Sequence, residues 1–458
     1  MICRNMENAQ KIQHLYARAG FGLSPTEWNR RREQSLNEAL QDLFSKPNDV
    51  RELPVPALVI SETTANNNGV QQKERQLVAA IGIDWLNRMA APLEDALLER
   101  MCLFWHGHFA CDIRIGLPAG QYLNTLRRHA LGNFRDLVTA IAREPAMIRY
   151  LNNQQNRKER PNENFARELM ELFTIGRGHY SEQDVKEAAR AFTGWSSDRT
   201  GQFIFRRLLH DFDSKIFMGR TGYFDGDDVI HILLEQKQTA RFICQKIYRY
   251  FVNEQPDEQR VEAMTEVFFA DYDIARLMRF VLESDWFYED RHIGSKIKSP
   301  VELTAGILRQ LGVRHCNPAA LIGIHRAMGQ VLFHPPNVAG WPGGKSWIDN
   351  STLMMRLQLG AAFCMASDFD LALKTELDEQ DRRFVRRLEA ETDFAPLADL
   401  CRQVPEKEYF DVLSSFLLLP DVSRHRSTVE AYVPAGAPQE RIRQLTARLM
   451  SLPEYQMC

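Results

Sequence analysis

The sequence predicts a mainly α-helical protein: a large multi-helix body with one small β-hairpin or irregular insertion near residues 203–223. Three observations point there. Apolar residues recur at helical spacing along most of the 458 residues. Helix-start signatures recur too, in Ser24-Pro25-Thr26-Glu27, in Ser181 with Asp184, and in Ser299-Pro300. The spacing changes only around Phe203-Ile204-Phe205 and from Lys215 to Tyr223, where glycines interrupt it.

In chain order, Ser24 caps a helix that carries Pro25 at its first position and Glu27 at its third. That helix is expected to reach Phe44. A polar stretch from Pro47 to Gly69 reads as a connection. Gln71–Met89 and Pro92–Phe109 read as two long helices, the second opened by Pro92, Glu94 and Asp95. Shorter helices follow near 120–130 and 134–143. Asn152 to Arg160 is wholly polar and reads as a surface turn. Asn162–Ile175 is helical and is closed by Gly176 and Gly178. Ser181 and Asp184 open the next helix, through Phe192. After the 203–223 insertion, a helical series starts at Gly226 and reaches Phe287. Ser299-Pro300 opens a helix that Gly312 ends. His334 to Trp347 is a Pro/Gly/Trp loop, and helices resume from Asn350, with a turn at Pro434–Pro438. The expected division is a main body, 1–365, and a C-terminal helical segment packed on it, 366–458.

Composition removes several functional classes. There are 57 Lys and Arg against 60 Asp and Glu, a net charge of −3, so no global pull toward nucleic acid arises. Hydrophobic residues make up 44%, which excludes a disordered chain. No apolar run approaches the length of a membrane span, and Met1–Gly20 has no apolar signal-peptide core. The eight cysteines include no CxxC pair. The expectation is a soluble, reduced, cytoplasmic protein. The charge is uneven, however. From Arg127 to Arg167 nine bases face four acids, a local +5, and from Phe251 to Asp290 eleven acids face three bases, a local −8.

Four stretches can carry chemistry. In Phe104-Trp105-His106-Gly107-His108-Phe109, two imidazoles can share a divalent metal only if the helix frays at Gly107; otherwise both pack. In Asn162–Phe173, helical spacing puts Asn164, Arg167, Glu168 and Glu171 on one stripe of an otherwise apolar helix. In a cleft, Glu168 and Glu171 are acid–base candidates, while Asn164 and Arg167 bind an anionic substrate. The alternative is a structural ion network. In His210-Asp211-Phe212-Asp213-Ser214-Lys215, His210 and Lys215 are acid–base or charge-stabilising candidates and Asp211 a substrate contact; the alternative is a capped surface loop. In Phe333–Trp347, Trp341 and Trp347 form either a binding wall or plugs that anchor the loop.

Together these stretches resemble the bacterial domain-of-unknown-function family 1800. The resemblance also includes His14-Leu-Tyr-Ala-Arg-Ala-Gly-Phe-Gly22, Glu171-Leu-Phe-Thr-Ile-Gly176, Ala191-Phe-Thr-Gly-Trp195, Pro335-Pro-Asn-Val-Ala-Gly-Trp341 and Leu452-Pro-Glu-Tyr455, so it runs nearly end to end. It implies a mostly helical fold. It also implies frequent export, and a neighbouring sulfatase-like or phosphatase-like partner protein. Two functions follow. One is an enzyme whose His106, His108, Glu168, Glu171, His210 and Lys215 converge in one cleft, with or without a divalent metal. The other is a non-catalytic accessory of the sulfatase-like or phosphatase-like partner, docked through Trp341 and Trp347.

Overall fold

The computed structural model describes residues 2–45, 50–55, 67–91, 95–198, 200–365 and 388–458. The architecture is mainly helical, with three two-stranded antiparallel sheets among the described residues. The expected connection 47–69, the helix opening at Pro92 and Glu94, and the start of the C-terminal segment (366–387) lie wholly or mostly outside them.

Local sequence explains most helix starts. Ser24 accepts from the Glu27 N–H while the Glu27 carboxylate accepts from the Ser24 N–H at 2.8 Å. The helix this opens is Pro25–Arg31, shorter than expected. A second capping box, Ser35 with Glu38, restarts the chain as Leu36–Phe44. The same reciprocal pattern opens Glu182–Ala191 and Pro300–Gln310. Asn152–Arg160 is not wholly a surface turn: Asn153 and Asn156 are buried. The Asn156 amide donates to the Ala189 carbonyl at 2.8 Å and accepts from the Asn162 N–H at 2.9 Å. Polar composition misleads here because Asn can pair with backbone inside the protein as well as with water.

Three helices build the floor beneath the site: Asn67–Ala90, Ala96–His108 and Gly116–His129. Ala96–His108 is buried at almost every position, so it must pack on all sides. Glu99 on this helix is buried and accepts from Trp85 Nε1 at 2.8 Å, Arg88 Nε at 2.8 Å and Arg127 Nε at 3.0 Å. One satisfied carboxylate thereby ties all three helices, and its removal would leave the buried Arg127 without an acidic partner among the described residues.

The insertion holds two hairpins rather than one: Trp195–Ser197 with Phe203–Phe205, and Lys215–Phe217 with Arg220–Gly222. Gly194 docks the first hairpin. It has φ +80°, its N–H donates to the Asn156 carbonyl, and its carbonyl accepts from the Arg206 N–H; a Cβ there would meet the Arg206 backbone. The third sheet, Val313–Cys316 with Ala390–Thr392, was not foreseen. Its strands are short, polar and far apart in sequence.

One apolar core contains residues from Ile12 to Tyr455. The helix Asn350–Met365 packs on Pro438–Met450, and Tyr455 donates to Gln310 at 2.6 Å. Much of the acidic 251–290 segment is paired: Glu262 with Lys237 and Arg241, Glu289 with Arg291, and Glu283 with Arg279. Among the described residues no helix is long and apolar enough to cross a membrane.

Candidate functional site

The site grows from the end of Ala96–His108. His106 is buried, and its Nε2 accepts from the Phe333 N–H at 3.1 Å. Its ring stacks on Trp341 with centroids 5.4 Å apart and meets Trp85 and Phe333 edge-on. Burial, with a smaller contribution from His334, lowers its pKa to about 3, so the ring is neutral. Phe333 is held from both sides, because its carbonyl also accepts from the Ile113 N–H at 3.0 Å. Phe333 has φ +66°, a left-handed conformation rare for a bulky residue and costing roughly 1–3 kcal/mol. The surroundings over-determine it, and the next residue is His334.

His334 Nδ1 lies 2.8 Å from Asp112 Oδ1. Facing a carboxylate, Nδ1 is the donor. The other Asp112 oxygen accepts from Arg114 Nε at 2.8 Å. Asp112 therefore fixes both an imidazole and a guanidinium, and His334 Nε2 is left without a hydrogen-bond partner among the described residues. The loop that carries His334 is pinned at Gly340 (φ +80°), where a Cβ would run into the Gly107 carbonyl.

The pair opens on a cleft of about 530 Å³. Arg75, Val78 and Gly82 form one wall, Asp112, Arg114 and Tyr150 another, and His325, Arg326 and the 331–336 turn a third. His325 is buried, and its Nε2 has no hydrogen-bond partner among the described residues. Burial lowers its pKa to about 4. Tyr150 is held above the ordinary phenol range by burial and then by Cys111, Asp112 and Glu168. The phenol thus lies within electrostatic reach of both Asp112 and Glu168. Glu168 is itself raised, first by burial and then by Glu171, and makes no hydrogen bond among the described residues.

The residues expected from sequence do not share this cleft. His106 and His108 point to different partners and do not form a metal pair. His108 Nε2 bonds the Phe173 carbonyl at 3.1 Å, and its Nδ1 takes Lys246 Nζ at 3.1 Å. The reason is local. Asn164–Glu168 is α-helical, but Leu169–Phe173 widens into a π-turn, which leaves carbonyls unmatched. His108 caps that of Phe173, and Lys246 caps that of Leu172 at 3.0 Å. Burial, and then Arg249, lowers Lys246 to a pKa of about 8. Among the described residues no group of three His, Cys, Asp or Glu is placed to hold a metal.

The Asn164 stripe is mostly spent on structure. Asn164 donates to the Leu151 carbonyl at 3.1 Å. Arg167 forks onto Glu182 at 2.8 and 2.9 Å and also reaches Glu163. Glu171 pairs with Arg177 and accepts from Tyr180 at 2.8 Å. Glu168 alone stays uncommitted. In the third stretch, His210 Nδ1 bonds the Thr193 carbonyl at 2.8 Å and Asp211 pairs with Arg190 at 2.7 Å. Lys215 is buried and donates to the Asp211 and Asp213 carbonyls, tying its own loop. Trp347 is buried, and Trp341, half-buried, stacks on His106, so both help hold the loop against the body.

Sequence reasoning passed over Asp112, Tyr150, His325 and His334. Two signals were there. His334 stands in a Pro-rich turn beside a large aromatic, and Asp112 follows a buried aromatic–histidine run within four residues of its last imidazole.

A family model matches residues 14–457 and is described as a protein of unknown function (DUF1800). No curated protein and no solved structure matches the chain.

Proposed function

The chain belongs to the DUF1800 family, and from that premise we propose that the Asp112–His334 cleft is an active site for acid–base chemistry on an anionic substrate. The observation that carries this reading is His334, oriented through Nδ1 by a carboxylate and exposed at 38% beside a cleft with an uncommitted Nε2. That is the arrangement of a general base: the carboxylate sets the tautomer, and the other nitrogen takes the proton.

The charge around the pair fits an anion. Arg75 and Arg114 line the cleft, and among the described lining residues Asp112 is the one carboxylate; a concave positive site concentrates anions. His325 also lines the cleft, and burial lowers its pKa to about 4, which keeps its ring neutral. Tyr150, kept protonated by its raised pKa, is the donor candidate for a leaving oxygen, and Glu168, whose pKa is also raised, acts on it electrostatically. The reaction class is hydrolysis or transfer at a phosphate, sulfate or carboxylate ester, with His334 deprotonating water or a substrate hydroxyl. No metal enters this scheme. The accessory reading relied on Trp341 and Trp347 as a docking surface; Trp347 is buried and one face of Trp341 lies on His106, which gives that reading less support.

The test is turnover of nitrophenyl phosphate, sulfate and acetate by wild type, His334→Ala and Asp112→Asn. Loss of general-base help lowers the rate roughly 10²–10⁴-fold. The reading fails if no His334-dependent turnover is seen and inorganic phosphate or sulfate leaves the NMR signals of His334 unmoved.

A further inference from the structure

The two hairpins at 195–222 carry a second feature, unrelated to the cleft chemistry. Five large apolar side chains stand out from one short stretch: Phe205 (43% exposed), Leu208 (87%), Phe212 (51%), Ile216 (59%) and Tyr223 (81%). Large apolar side chains exposed together, rather than singly, mark an interaction surface. The backbone here is well fixed. Gly194 clamps the first hairpin, and Lys215 ties the 211–213 turn from within. Phe205 and Phe212 both pack edge-on against His210, at 5.1 and 4.6 Å, so the tips share one support.

Bases outnumber acids around Phe205, Leu208 and Phe212. Arg206 and Arg207 stand between Phe205 and Leu208, and Arg207 lies over the Phe212 ring. The 157–160 turn is joined to them by the Lys158 N–H on the Leu209 carbonyl at 2.9 Å, and it brings Arg157, Lys158 and Arg160. Among the described residues no carboxylate pairs with Arg157, Arg160, Arg206 or Arg207. Lys158 is only 4.0 Å from Glu159; Glu159 and Asp213 are the exposed acids beside these bases, and Asp225, Asp227 and Asp228 follow Tyr223. A chain of net charge −3 thus concentrates unpaired arginines at its most apolar surface.

We propose that this surface docks peripherally on an anionic lipid bilayer. The charge pattern favours a bilayer. Five bases, four of them arginines with no carboxylate partner among the described residues, stand beside exposed apolar side chains, and a bilayer interface takes both. Leu208, Tyr223 and the phenylalanines enter the headgroup–acyl boundary, while the arginines reach lipid phosphates. Attraction to an anionic leaflet amounts to a several-fold gain for each arginine near the surface.

The experiment is co-sedimentation of the whole chain with vesicles of phosphatidylcholine alone, and of phosphatidylcholine and phosphatidylglycerol in equal parts. Wild type is expected to bind the anionic vesicles, more weakly at high salt, and to leave the neutral ones. Leu208→Glu with Tyr223→Glu should weaken binding at least about tenfold. Arg206→Glu with Arg207→Glu should remove the preference for phosphatidylglycerol. All four side chains are exposed, so circular dichroism and the melting temperature should match wild type. Absence of wild-type binding to anionic vesicles, or unchanged binding by either double variant, overturns the proposal. So does a self-associated wild type that Leu208→Glu makes monomeric, because the surface is then a protein interface.

Discussion

Replacing His106 by Gln tests the floor of the site through its proton. In the folded chain the pKa of His106 is lowered to about 3 by burial and, to a lesser degree, by His334; unfolded, it returns to about 6.5. Between those values the unfolded chain binds the proton and the folded chain does not. Stability from this group is therefore complete above about pH 6.5 and falls as pH falls toward 3. At about 1.36 kcal/mol per pH unit, moving from pH 6.5 to 5 removes about 2 kcal/mol. Gln does not titrate, and its side-chain carbonyl can accept the Phe333 N–H that His106 Nε2 accepts at 3.1 Å. At pH 7 the variant should be about 1–3 kcal/mol less stable, from lost ring packing on Trp341 and Trp85. At pH 5 that gap should shrink by about 2 kcal/mol, or close. The assay is urea unfolding by tryptophan fluorescence at both pH values. His14, His108, His292 and His325 are also lowered by burial, but they are common to both chains and cancel. A gap unchanged between pH 7 and pH 5 would refute the claim that His106 is held neutral.

Three further outcomes are expected. Gly340→Ala should destabilise by at least about 2 kcal/mol and shift the Trp341 emission, because the residue has φ +80° and its Cβ would strike the Gly107 carbonyl; a variant with wild-type emission and melting temperature would count against it. Burial pushes Glu302 up, but Arg100, Lys296 and the Ser299 N–H outweigh it and hold the carboxylate at about 2. Glu302→Gln should cost about 3–5 kcal/mol by stranding buried cations. In wild type this contribution is present above the ordinary carboxylate pKa and is lost as pH falls from there toward 2, and denaturant titrations across that range check both statements. Arg167→Ala should cost less than about 1 kcal/mol, since its partners Glu163 and Glu182 lie at the surface; loss of several kcal/mol by thermal melting would show that the stripe is structurally essential.

The fold was largely readable because helix starts are local. Ser24, Ser181 and Ser299 each carry their own capping signal within three residues, and the structure uses all three. The missed break at Ser35 obeyed the same rule. The π-turn at Leu169–Phe173 was not readable, since its unmatched carbonyls are satisfied by His108 and Lys246 from other helices. That turn is also why an even polar stripe on paper became two separate pairings, with Glu168 left over.

The sequence alone determined the helical class, the family resemblance and the importance of the aromatic–histidine run and the Pro/Gly/Trp loop. Periodicity, caps and motifs are properties of neighbouring residues. Only the tertiary structure decided what those motifs do. It turned His106 into a buried acceptor for Phe333 and His108 into a cap, and it brought Asp112 and His334, 222 positions apart, to 2.8 Å. Such a pairing depends on how buried surfaces fit across the whole chain, and no local spacing encodes it.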